Sequence, residues 1–263
     1  MKMFARVFLL ACVPLVTVGS YGQTAVPAPT PSPVPAPTVE TATAKEIASM
    51  QAKLNDWPNL ARYRSDNAAL APAAAGEQRV VFYGDSITDG WGRRPGTEST
   101  FFPGKPYVNR GISGQTTPQM VVRFRQDVID LHPAAVLILA ATNDVAGNTG
   151  PMTPEMTEDN FRSMADLAHA NGIKVILASI TPAFDYPWKR GMEPAPKIRA
   201  LNAWLKDYCE QHGYTYLDYY TALTDTEGGM KPGTSVDGVH PNEKGYAIME
   251  PLAQAAIDQT LGK

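Results

Sequence analysis

Eight consecutive apolar residues, Ala134 to Ala141, set the strongest constraint on how this chain can fold. The run is too short to cross a bilayer and has no polar face, so it predicts a strand buried on both sides at the centre of a parallel sheet. Shorter runs of strand-forming residues occur at Val80–Tyr83, Tyr107–Asn109, Lys174–Ile180 and Tyr214–Leu217. Between and after them, residues 118–131, 155–170, 196–211 and 242–261 carry apolar positions at helical spacing. Strands alternating with amphipathic helices predict an α/β domain with a parallel sheet. The 263 residues, 44% hydrophobic, suit one such domain of about 180–200 residues with extra segments.

In an open α/β sheet, ligands bind where strands end at their carboxyl edge, and four candidate sites fall there or in a terminal loop. The first strand runs into Gly84-Asp85-Ser86-Ile87-Thr88, so Ser86 is either a nucleophile or a cap for the next helix. The second leads to Asn109-Arg110-Gly111-Ile112-Ser113-Gly114-Gln115-Thr116-Thr117, where two glycines three apart allow close approach to a ligand or form a tight structural turn. The apolar run itself ends at Thr142-Asn143-Asp144. Near the end of the chain, Asp237-Gly238-Val239-His240-Pro241 spaces a carboxylate and an imidazole so that one loop can pair them. The loop after the fourth strand holds Phe184, Tyr186 and Trp188, equally suited to stacking on a sugar or acyl group and to packing the loop down.

Taken in order, these segments resemble the blocks of the GDSL, or SGNH, serine hydrolases, and the resemblance covers roughly residues 79 to 260. Ile87 stands where that family usually has Leu, and Ala141 where its third block has Gly, which leaves the backbone conformation at position 141 open. The resemblance implies a flavodoxin-like three-layer α/β/α domain with about five parallel strands. It implies Ser86 as nucleophile, His240 as general base and acid, Asp237 as its partner, and the N–H of Ser86, the N–H of Gly114 and the Asn143 amide as an oxyanion hole. Asp85, Phe184, Tyr186 and Trp188 are the candidate substrate contacts. The expected function is hydrolysis of short-chain esters, acetyl esters of carbohydrates among them, with no metal or organic cofactor. A lysophospholipase or thioesterase would use the same residues, and a non-catalytic carbohydrate-binding surface protein is the alternative from another class.

The rest of the chain bears on where such a domain works. Lys2 and Arg6 precede an apolar run from Val7 to Val18, so residues 1–22 read as an export signal and predict a periplasmic or secreted protein. Leu9-Leu10-Ala11-Cys12 loosely resembles a lipobox, with lipoprotein anchoring through Cys12 the rival reading. Residues 23–39 form a Pro-rich spacer. Residues 40–78 read as an extension with helices over 42–54 and 57–70, packing on the catalytic domain, 79–263, through Trp57, Leu60, Tyr63 and Leu70. Cys209 is expected to be a buried apolar residue. The net charge of −3 comes without basic clusters, which argues against a nucleic-acid surface. Oligomeric state leaves no trace in the sequence.

Overall fold

Five parallel strands, β1 (Val80–Gly84), β2 (Tyr107–Gly111), β3 (Ala135–Leu139), β4 (Lys174–Ala178) and β5 (Thr215–Leu217), form one sheet in the order β2-β1-β3-β4-β5. They come from a computed structural model that describes residues 43–98 and 100–263. The export signal, Cys12 and the Pro-rich segment therefore lie outside the described residues. Among those described, the helices are α1 (Ala44–Asn55), α2 (Arg64–Ala69), α3 (Ser86–Gly90), α4 (Thr117–Asp127), α5 (Thr142–Val145), α6 (Pro154–Ala170), α7 (Pro194–His212), α8 (Tyr219–Leu223) and α9 (Glu243–Leu261). The strand order and flanking helices are those of the flavodoxin-like three-layer fold.

Every residue of β1 and β3 is buried, as both faces of a central parallel strand require. Alternate side chains divide between two cores. Val81, Tyr83, Val136 and Ile138 face α4, α6 and α7, while Val80, Phe82, Leu137 and Leu139 face α3, α8 and α9. Cys209 is buried in the first of these cores, where burial pushes its thiol up to about 12.

The chain leaves β1 for β2 on one side and reaches β3 on the other, so the carboxyl ends of β1 and β3 meet at the switch point of the sheet. Gly84 pairs there with both Gly111 and Leu139. A Cβ on Gly84 would lie 2.2 Å from Thr88 Oγ1 and 2.4 Å from the Leu139 carbonyl oxygen, which explains the glycine just before the Asp85-Ser86 turn. Arg123, wholly buried on α4, ties the ends of β1 and β2 together. Its guanidinium donates to the carbonyls of Gly84 (3.0 Å) and Arg110 (2.8 Å), to the Gln115 side chain and to Asp127 (3.1 Å), and stacks 4.2 Å from the Tyr83 ring centroid.

The extension departs from the expected pair of helices. The Asp56 carboxylate accepts from the N–H groups of Leu60 (2.8 Å) and Ala61 (2.9 Å), and Asn59 turns left-handed at φ +57°, so residues 56–63 form turns and the second helix starts only at Arg64. Three glutamine side chains pin this segment by its carbonyls: Gln119 to Trp57 (2.6 Å), Gln115 to Pro58 (2.6 Å) and Gln126 to Leu60 (2.8 Å). Tyr63 is buried under Arg62, Arg93 and Arg110 and donates its hydroxyl to the Gly111 carbonyl. Trp57, expected to pack inward, stays 43% exposed. Its backbone makes the contact in its place.

Removing the buried cation should leave Asp127 uncompensated. Arg123→Met is expected to destabilise the protein by about 3–5 kcal/mol, with part of the loss recovered in Arg123→Met/Asp127→Leu. Urea denaturation of the three proteins checks this. A loss below about 1 kcal/mol in the single variant would show that the pair is dispensable.

Candidate active site

Ser86 begins α3 immediately beyond β1, with Asp85 as the N-cap whose Oδ1 accepts from the Ile87 N–H at 2.9 Å. The cap of this helix is therefore Asp85 and not Ser86, whose hydroxyl is left for another partner. That partner is His240, with Oγ 3.0 Å from Nε2. On the far side of the imidazole, Nδ1 lies 2.7 Å from Asp237 Oδ2. Asp237 Oδ1 accepts from the N–H groups of His240 (2.8 Å) and Val239 (3.0 Å), so a single loop both carries the imidazole and fixes the carboxylate that orients it. Burial alone would raise the Asp237 carboxyl, but these bonds from the His240 backbone, its ring and Val239 outweigh it and hold the group below the ordinary carboxylate value. Asp237 therefore stays an anion able to stabilise an imidazolium. Such a chain can draw the proton from Ser86 as its oxygen attacks an electrophile.

The three donors expected for an oxyanion are the N–H groups of Ser86 and Gly114 and the Asn143 amide. Among the described residues, the backbone N–H groups of Ser86 and Gly114 have no hydrogen-bond acceptor. Gly114 has φ +81°, a left-handed turn that suits glycine. Asn143 is held at both ends of its amide: Oδ1 accepts from Asn148 at 2.6 Å, and Nδ2 donates to the Gln115 carbonyl at 2.9 Å. The second N–H has only a long 3.4 Å contact to Asp85 Oδ2, which a stronger acceptor can displace. Before Asn143, Ala141 is left-handed at φ 86°, ψ −7°. The alanine thus keeps the backbone a glycine would give, at a cost of about 1–2 kcal/mol.

Two further carboxyls lie beneath the site. Asp144 accepts from the Thr117 N–H (3.1 Å) and hydroxyl, joining α5 to the start of α4, and burial raises it to about 6. Asp85 is fully buried and raised to about 7, chiefly by that burial. Its carboxyl is turned inward, to the cap and Asn143. In the aromatic loop, Tyr186 is also buried, with its hydroxyl 3.2 Å from Thr142 Oγ1, and Phe184 is 61% exposed with no contact to Ser86 or His240 among the described interactions. Trp188 alone adjoins the imidazole. It stacks on Tyr186, its ring centroid is 5.9 Å from that of His240, and its Nε1 donates to Asn148 Oδ1 at 3.1 Å. Gln115 and Asn148, which aim the Asn143 amide, carried no recognisable signal in the sequence, since each acts through a bond whose partner is fixed only by the fold.

The description of the GDSL-like lipase/acylhydrolase family matches residues 82–248. A solved structure of a proposed acylhydrolase from Bacteroides fragilis is 47% identical, with a TM-score of 0.75, over 78% of this chain and 99% of its own. A GDSL-like lipase from Bacteroides thetaiotaomicron is 46% identical, with a TM-score of 0.73, over 77% and 98%. An acetylxylan esterase from Geobacillus stearothermophilus is 27% identical over 203 residues, 65% of this chain and 90% of the esterase.

The raised Asp85 carboxyl has a measurable consequence for stability. Between its ordinary value of 3.8 and about 7, the unfolded chain gives up this proton and the folded one keeps it, so Asp85 costs stability progressively as pH rises through that window. Asp85→Asn keeps the capping oxygen without the charge. Its stability relative to the wild type is expected to rise from about pH 4 to about pH 7 and then level off, as read by urea denaturation at each pH. A difference that does not change with pH would contradict the buried, proton-holding Asp85.

Proposed function

The chain belongs to the GDSL-like lipase/acylhydrolase family, and on that premise we propose that it is a serine esterase hydrolysing short acyl esters, acetylated carbohydrates foremost, through an acyl-enzyme. The observation that carries this reading is the continuous hydrogen-bonded series Ser86 Oγ, His240 Nε2, His240 Nδ1, Asp237 Oδ2. In the first half-reaction the Ser86 oxygen bonds to the ester carbonyl carbon while its proton passes to His240 Nε2. The carbonyl electron pair moves onto oxygen, where the N–H groups of Ser86, Gly114 and Asn143 stabilise it. Collapse breaks the bond to the alcohol, which leaves with the proton from Nε2. Water then gives a proton to the same nitrogen as its oxygen bonds to the acyl carbon, and collapse breaks the bond to Ser86 Oγ, which takes the proton back from Nε2 as the carboxylic acid is released. Asp237 offsets the positive imidazolium in both halves.

The aromatic face of Trp188 beside His240 supports a sugar-bearing substrate, as does similarity to an acetylxylan esterase. Export, resting on residues 1–22, would place the enzyme among extracellular or periplasmic esters. Among the described residues, no helix is long and apolar enough to cross a membrane.

Ser86→Ala should lower kcat on 4-nitrophenyl acetate by roughly 10⁵-fold or more with the fold intact by circular dichroism. The wild type should prefer acetyl over octanoyl esters in the same assay. Comparable turnover by the variant would rule out the serine mechanism, and a preference for long chains would favour the lysophospholipase or thioesterase reading.

A further inference from the structure

Beside Gly114 lies a cleft of about 550 Å³ that the catalytic domain does not form alone. One wall is the middle of the extension, with Lys53, Trp57 and Asn59, and the other is Gly114, Asn148 and Thr149. The extension is a fixed wall. Its carbonyls at Trp57 and Pro58 are held by Gln119 and Gln115, and Asp56 closes the turn between them and Leu60. Trp57 is thus an exposed indole on a pinned backbone, next to a candidate oxyanion donor. At the opposite end, Asn148 accepts from Trp188, whose ring adjoins His240. Aromatic rings therefore bracket the path from the imidazole to the extension.

The lining limits what can sit there. Lys53 and Asn59 have no side-chain hydrogen-bond partner among the described residues, so their donors are available to a ligand. A long alkyl chain would bury them without partners, at a cost for each polar group. A hydroxyl-rich ring can satisfy them and lay its C–H face on the indole. Resting on the esterase reading, we propose that this cleft is the alcohol-side subsite, that it takes the carbohydrate part of the ester, and that Trp57 is its platform. Specificity for the leaving group is then supplied by the N-terminal extension.

Trp57→Ala and Trp57→Phe, assayed on 4-nitrophenyl acetate and on an acetylated xylo-oligosaccharide, test this. The alanine variant is expected to raise KM for the oligosaccharide ester about tenfold more than for the small ester, and the phenylalanine variant to recover most of the difference. Equal losses on both substrates would assign Trp57 a structural role through the pinned turn and overturn the inference, as would no loss on either. Wild-type hydrolysis of the nitrophenyl ester without the sugar ester would overturn the subsite alone. A wild type inert to both would overturn the esterase reading and the subsite with it.

Discussion

The site depends on one buried guanidinium. Arg123 holds the carbonyl of Gly84, two residues before Ser86, and the carbonyl of Arg110, four residues before Gly114. It also holds the Gln115 side chain, whose backbone carbonyl aims the Asn143 amide. A single planar group that presents donors in fixed directions thus places the loops after β1 and β2, and the Gln115 carbonyl extends that order to the loop after β3. A buried ion pair is weak evidence for stability, because desolvation offsets the attraction. In the proposed mechanism its value lies in geometry, since oxyanion donors are effective only when their positions are fixed before the charge appears.

Carboxyls in contrasting environments surround the serine. Asp237 is exposed to solvent and collects three N–H donors, which keep it ionised and suited to an imidazolium. Asp85 and Asp144 are buried and raised by that burial, although the N–H groups of Ile87 and Thr117 that they accept from while capping and bracing the turns pull the other way. The same side-chain chemistry is thus divided by solvent access and donor count into an electrostatic partner and two structural acceptors.

Much of this was legible in the sequence because the informative groups are local. Strand ends, the glycines that allow close approach, and the Asp237–His240 spacing are properties of short segments, and the central strand announces itself in Ala134–Ala141. The bonds of Gln115, Asn148 and Arg123 were not legible, since their acceptors come from other loops and are set by the fold. Side-chain direction was hidden for the same reason. Asp85 and Tyr186 sit beside the site in the chain or in space, yet each turns its polar group inward to a partner, and Trp57 faces solvent because its carbonyl makes the packing contact. At Ala141 the fold imposes a left-handed backbone that the residue type alone disfavours.

The central claim is that Ser86, polarised by His240 and Asp237, is the group that becomes acylated. Covalent labelling with a fluorophosphonate followed by peptide mass spectrometry tests it most directly, because the reagent reports the nucleophile independently of substrate choice. One phosphonyl adduct on Ser86, formed in step with loss of ester hydrolysis and absent from the His240→Ala protein, is the expected result. An adduct on a different residue, or ester hydrolysis that persists after Ser86 is fully labelled, would contradict it.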